Sequence, residues 1–402
     1  MKLKSNLLKI SLLSATLAVA AAPADAAKKA DEGLTMTASL GLGYDSNAYL
    51  TPKAPYNDLA QPGNPLIVPK VQSGLYIPVG LGAKHLDSSG MEFSYKFASE
   101  YYLNSALRNA STYNNDAKLG WHFSLDGGPP KDSDLYVGFL AGYHKNIYTD
   151  RDTGEAKLTR VSGTNISNRY THFDIGGEAK LKQKVDDVQY ELATKLVRLS
   201  YNDPIVIAPL DHNLFELGAS ARFPLGDEST KLKLGYDFAI RDYTNRPARD
   251  ALGVQSRANP LLTYLYHTAG AQLFHKFSRN FLVFLDYERT YRIDRFVNYN
   301  GYTKDKVKLR VRYHVSPDFM LRAKVSYSRT NYPHAFAFDN PAGGQKKYKA
   351  LKASVKAEYE SYLSALSDPV IWAKADYIKQ TSTDLRYTYN QDQVMIGSDW
   401  KF

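Results

Sequence analysis

Apolar and polar residues alternate along most of this chain. "LTMTASLGLGY" sets Leu34, Met36, Ala38, Leu40, Leu42 and Tyr44 on one side, and Thr35, Thr37, Ser39, Gly41 and Gly43 on the other. A period of two suits a β-strand and no helix. "MEFSYKFASE" repeats it, with Met91, Phe93, Tyr95 and Phe97 against Glu92, Ser94, Lys96 and Ala98. "KVKLRVRYHV" does so again, with Val307, Leu309, Val311 and Tyr313 against Lys308, Arg310, Arg312 and His314.

About sixteen such segments can be read by this alternation. They centre on 34–44, 73–84, 91–101, 115–125, 134–147, 169–182, 187–200, 213–224, 230–242, 263–276, 281–294, 304–314, 319–329, 348–360, 369–380 and 391–402. Most exceed the roughly 9–11 residues that carry a tilted strand across a bilayer. In 263–276 the alternation puts His267 and His275 on the apolar side. Short connections ("LDSSG", "QKVDD", "LGDEST", "FSRN", "VSPD") interleave with long ones at 45–72, 102–114, 148–168, 201–212, 243–262, 295–303, 330–347 and 381–390. Tight turns at one end and long loops at the other predict an all-β fold: a transmembrane antiparallel up-and-down β-barrel of about 16 strands over 34–402. A secreted sandwich or solenoid fits the strand length poorly, and no fixed short repeat is present.

The first 26 residues read as a separate object. Lys2, Lys4 and Lys9 precede an apolar run from Ile10 to Ala22, and Ala24-Asp25-Ala26 is a small-x-small cleavage pattern. This is the layout of a secretory signal peptide. Residues 27–33 would be a short periplasmic leader. The first connection is long, so the first strand should run outward, and an even strand number places both termini in the periplasm. The expected location is the cell outer membrane, in contact with its lipids. The absence of Cys and the 31 Tyr agree with a barrel of that kind.

Two short stretches carry resemblances. In "GSDWKF", Trp400 and Phe402 share the apolar side with Val394 and Ile396, and Gly397 lies opposite. This resembles the C-terminal recognition signal of outer-membrane barrels. It implies that Gly397, Trp400 and Phe402 are read by the barrel assembly machinery through strand addition. The two aromatics also suit an interfacial girdle. "LGLGYDSNAYLTP" (40–52), through Gly43, Tyr44, Asp45, Ser46 and Asn47, resembles the first barrel strand of surface lipoprotein assembly modifiers and of barrels associated with exopolysaccharide export. The assembly modifiers carry a helical-repeat domain before the barrel, and no such domain is read in this sequence.

The side opposite the apolar residues should line a water-filled lumen. It is rich in both charges with a modest basic excess, in a chain of formal net charge +10. The "VSPD" turn fixes one register: Arg312 should face Arg322, and Arg310 should face Lys324. Like charges directly opposite destabilise a sheet. Either Asp286, Glu288 and Glu358 offset them, or the four form a basic ladder that draws anions into the pore. Tyr76, Tyr136, Tyr264, Tyr266 and Trp372 also point inward, which fits packing against loops better than a sugar track. Within the loops, the Pro-rich 45–72 either stays at the surface or folds inward, and "NYPHAFAFDNPAGG" (331–344) is unusually apolar.

The expected function is a channel for passive passage or export of small hydrophilic, anionic solutes, with Arg310, Arg312, Arg322 and Lys324 as pore-lining charges. The alternative is a partner-dependent barrel that exports or assembles a surface polysaccharide or lipoprotein. A remote alternative is a lipid hydrolase, because His122 and Ser124 sit two apart on one side, as in outer-membrane lipid-A deacylases. No P-loop, HExxH, GxSxG or EF-hand motif is present, so no enzyme, metal or cofactor is expected. Acids interleaved with the bases argue against nucleic acid. Whether the barrel forms an oligomer is left open.

Overall fold

A computed structural model describes residues 33–125, 133–146, 163–202, 209–361 and 369–402. The signal peptide read at 1–26, residues 27–32 of the leader and most of the 148–168 loop lie outside the described residues. The barrel strands are β1 (Leu34–Asp45), β2 (Gly74–Leu86), β3 (Met91–Tyr102), β4 (Thr112–Ser124), β5 (Asp134–Lys145) and β6 (His172–Val185). They continue with β7 (Val188–Tyr201), β8 (His212–Leu225), β9 (Asp227–Pro247), β10 (Leu261–Lys276) and β11 (Phe281–Asp294). The last five are β12 (Tyr302–His314), β13 (Phe319–Phe336), β14 (Gln345–Glu360), β15 (Val370–Ser382) and β16 (Tyr389–Lys401). Each pairs antiparallel with its chain neighbours, and β1 pairs with β16 to close the barrel. The fold is the all-β, sixteen-stranded antiparallel barrel that the alternation predicts.

The alternation survives as two faces. Leu40, Leu42, Phe139, Ile175, Leu196, Val394 and Ile396 are exposed on the outside, while their strand neighbours turn inward. The two outward histidines are satisfied across strands. His267 Nδ1 meets Tyr236 Oη at 2.6 Å, and His275 Nδ1 meets Thr230 Oγ1 at 2.7 Å. These bonds offset part of the cost of holding an imidazole on an apolar face.

Two strands outrun their sequence-based bounds. β9 reaches back to a tight turn at Gly226, whose φ of 80° favours glycine, and a register shift at Pro224/Leu225 absorbs the change of spacing. β13 runs on through Pro333 to Phe336, and its ladder with β14 breaks between Asn331 and Phe336. Proline cannot donate to a ladder, so it sits at the break.

The closing seam is built on small residues. Gly41 of β1 faces Gly397 of β16, and Trp372 of β15 lies over both. A Cβ on Gly397 would stand 2.5 Å from Trp372 Cζ2, so only glycine leaves room for the indole. Trp372 Nε1 donates to Asp399 Oδ1 at 2.7 Å, and Ser39 Oγ reaches the same oxygen from β1 at 2.6 Å. Tyr76, fully buried, lies likewise over Gly43. Tyr76, Trp372, Tyr102 and Met395 form one inward core cluster with Tyr49 and Leu107 from the long connections.

The rim at the long-loop end is knitted together. Asp45 is fully buried and accepts from Tyr102 Oη (2.7 Å), Gln391 Nε2 (2.8 Å) and Gln393 Nε2 (2.9 Å), while the Asn47 amide donates to its other oxygen. Asn47 Nδ2 donates to the carbonyls of Thr51 and Asn390, and its Oδ1 accepts from the Thr51 amide. The aspartate and asparagine of the "GYDSN" stretch therefore pin the start of the first loop to β3 and β16. Farther along, Tyr56–Asn57 pairs with Leu66–Ile67 in a small hairpin. Tyr56, Leu59, Ala60 and Ile67 pack on Ala337 and Phe338, and Asn340 Nδ2 donates to the Leu59 carbonyl at 2.7 Å. The apolar 331–344 stretch and the Pro-rich loop bury each other.

Asp384 and Arg386, between β15 and β16, complete this lock. Asp384, fully buried, accepts the Phe338 amide at 3.0 Å and two hydrogen bonds from Arg386 at 2.8 and 2.9 Å. The Arg386 guanidinium also lies 5.0 Å from the Phe338 ring centroid. Burial alone would raise the Asp384 carboxyl. The hydrogen bonds and charge of Arg386, the Phe338 amide and nearby Lys346 outweigh it and hold the group below the usual carboxylate range.

Candidate functional site: a basic wall inside the barrel

The "VSPD" turn sets the register that its length demands. Arg310 faces Lys324, and Arg312 faces Arg322, across β12 and β13. The row extends beyond the hairpin: Arg322 faces Lys356 of β14, and Lys356 faces Lys374 of β15. Arg312, Arg322, Lys356 and Lys374 thus form one row of like charge across four adjacent strands. Parity alone marks Lys356 and Lys374 as inward, but their level in the wall follows only from the β13–β14 and β14–β15 ladders. With Lys324 and Lys352, these side chains border a recess of about 530 Å³.

Carboxylates offset part of the line. Arg310 grips Asp286 through Nε and Nη2, both at 3.2 Å, and Lys308 approaches the same carboxylate at 3.4 Å. Glu358 takes Arg322 Nε at 2.7 Å and Lys356 Nζ at 2.8 Å. Lys374 pairs with Asp376 at 2.6 Å, and Lys356 also reaches Asp399 at 3.4 Å. Asp286 and Glu358 therefore act as the sequence suggests. Glu288 does not: it pairs with Lys306 at 3.4 Å, because it lies opposite Lys306 in the β11–β12 register and away from the ladder. Among the described residues, Arg312, Lys324 and Lys352 have no carboxylate in ion-pair reach. The offset is partial, because Arg312, Lys324 and Lys352 are left over, and the wall stays basic.

The inward aromatics pack rather than line an open track. Tyr136 lies beside His122 at 4.8 Å, and Tyr264 and Tyr266 meet edge-on at 6.2 Å. Arg292 sits against Tyr264, Tyr302 and Tyr332 at 4.4, 4.3 and 5.7 Å. His122 Nδ1 is 2.8 Å from Asp134 and Nε2 is 3.1 Å from Glu92, so both ring nitrogens engage carboxylates.

The remaining sequence-marked residues lie at the seam. Trp400 faces Ala38, and Phe402 exchanges two backbone hydrogen bonds with Met36, at 2.8 and 3.0 Å. Gly397 is the bed of Trp372, a packing demand that parity could not reveal.

No protein-family model and no curated protein matches this chain. Among solved structures, a bacterial polysaccharide outer membrane secretin is 9% identical, with TM-score 0.44, over 91% of this chain and 97% of its own. A loop-deletion mutant of OmpT, an outer membrane protein of Vibrio cholerae, is 10% identical with TM-score 0.41 over 92% and 99%. A mutant of the Rh. blastica porin is 13% identical with TM-score 0.36 over 92% and 99%.

Proposed function

We propose that this chain is an outer-membrane channel through which small anionic hydrophilic solutes pass passively or are exported. Its apolar exterior suits lipid, and its charged interior suits water. The observation that carries the anionic preference is the line Arg312, Arg322, Lys356 and Lys374 beside the unmatched Lys324 and Lys352. Arg310, Arg312, Arg322 and Lys324 act as fixed positive charge, and Lys356 and Lys374 join them. The test is the reversal potential of the refolded barrel in a planar bilayer under a salt gradient. Replacing Arg310, Arg312, Arg322 and Lys324 with Gln should abolish anion selectivity, and an unchanged potential refutes the reading.

One observation favours a second reading, a partner-dependent export barrel. The first loop crosses the 383–388 connection, where the Lys53 amide donates to the Thr388 carbonyl, and docks on 337–344. A rim tied in this way would be opened by a partner or cargo. That reading expects little conductance until residues 53–69 are deleted.

A further inference from the structure

At the outer ends of β5 and β6, beside β4, three lumenal side chains converge for a reason the basic wall does not supply. His144 lies opposite His172, and Asp174 lies opposite Gly142. The two imidazoles stack with centroids 4.8 Å apart. One donor atom from each of His144, His172 and Asp174 lies within 4.8 Å of the other two. A Cβ on Gly142 would strike Asp174 Oδ1, so that glycine makes room for the carboxylate.

The hydrogen bonds orient the two rings. His144 Nδ1 is 3.0 Å from Asn114 Oδ1, and His172 Nδ1 is 3.1 Å from the Tyr170 carbonyl oxygen. Both oxygens are acceptors, so each Nδ1 is oriented as a donor and each Nε2 is turned toward the cluster. An oxygen on the far nitrogen is how a metal-binding imidazole is oriented. His144 Nε2 stands 3.0 Å from Asp174 Oδ1 and 3.4 Å from Asp116 Oδ1. Asp174 Oδ1 is closed off from solvent and makes no hydrogen bond among the described residues. A ring nitrogen and a carboxylate oxygen this close share a cation, either a proton on His144 or a metal ion that His172 also reaches.

We propose that His144, His172 and Asp174, with Asp116 beside them, bind one divalent transition-metal ion of the zinc class at the outer mouth of the barrel. Two imidazoles and a carboxylate suit Zn²⁺, Ni²⁺ or Cu²⁺, whereas Ca²⁺ and Mg²⁺ favour all-oxygen sites. With bonds of about 2.0–2.1 Å, tetrahedral donors stand roughly 3.3 Å apart, so closing on the ion asks for a side-chain shift of about 1.5 Å at most. This site is remote from the basic wall and does not depend on the solute that passes it.

The experiment uses the tag-free, refolded barrel in detergent micelles, titrated with Zn²⁺ by calorimetry and with Co²⁺ by visible absorption. One ion should bind per chain, with tetrahedral Co²⁺ bands. H144Q, H172Q and D174N should each weaken Zn²⁺ by at least about tenfold, and the Co²⁺ bands should vanish in H172Q. H122Q, at the opposite end of the lumen, should bind as the unaltered chain does. The proposal falls if the unaltered chain binds Ca²⁺ as tightly as Zn²⁺. It falls equally if that chain takes up no more Zn²⁺ than the H144Q/H172Q double variant. The first comparison needs no variant to fold.

Discussion

The cleanest perturbation of the basic wall is to remove the charges that stand alone. Replacing Arg312, Lys324 and Lys352 with Gln deletes three positive charges and strands no carboxylate, since none of the three has an ion-pair partner among the described residues. For a solute roughly 10 Å from each charge in water, Coulomb's law gives about 0.4 kcal/mol per charge before screening. At 10 mM salt, where the Debye length is about 30 Å, about 0.3 kcal/mol survives. Three charges then supply about 0.9 kcal/mol, which enriches a monovalent anion about fourfold and depletes a cation equally. At 1 M salt the Debye length is about 3 Å and the effect vanishes. The assay is the reversal potential across a tenfold KCl gradient, measured once at 10/100 mM and once near 1 M. The triple variant should lose most of the anion preference at low salt and differ little from the unaltered chain at high salt. Equal potentials for the two proteins at 10/100 mM would mean that these charges do not face the conducting path.

Three further outcomes are expected. Trp372→Ala should destabilise the barrel by about 3–5 kcal/mol, the cost of emptying a buried aromatic site, read by urea unfolding from lipid vesicles with circular dichroism. Asp45→Asn together with Asn47→Ala should free the start of the first loop, and limited proteolysis should then cut within 51–72 while the strands stay intact. The Asp384 lock should titrate in acid. Its carboxyl is held below the ordinary range, so its contribution is complete above the unfolded value of about 3.9 and is lost as pH falls through the lower folded value. Hydrogen exchange at 337–344 should therefore be flat from pH 7 to about 4 after correction for intrinsic rates. A loss of protection already at pH 5–6 contradicts the assignment.

Strand positions and facing were legible because a lipid-contacting strand exposes its period directly. Register was legible only where a connection is short enough to leave no freedom. The four-residue turn before Phe319 placed Arg312 opposite Arg322. The β13–β14 connection left Lys356 at an unknown height, since the ladder shifts between Asn331 and Phe336. The same limit hid His144 and His172, which meet across a long connection. Contacts at the rim were hidden for a different reason. Tyr56 and Phe338 are nearly three hundred residues apart, and nothing local to either marks the other. The Pro-rich loop could therefore be read as surface or inward from sequence, and its docking on 337–344 comes from packing alone.

The glycine seam bears on how the barrel comes together in time. Every other ladder joins strands adjacent in the chain, whereas Ser39 and Asp399 are separated by 360 residues. For a flexible chain, bringing such distant ends together costs about 5 kcal/mol in loop entropy, against about 1 kcal/mol for a four-residue turn. The β1–β16 ladder should therefore form last during assembly and part first under stress. Trp372 on its bed of Gly41 and Gly397, and the shared Asp399 contact, act where that entropy is largest. They function as a latch, and their removal should speed opening far more than it slows the formation of any single hairpin.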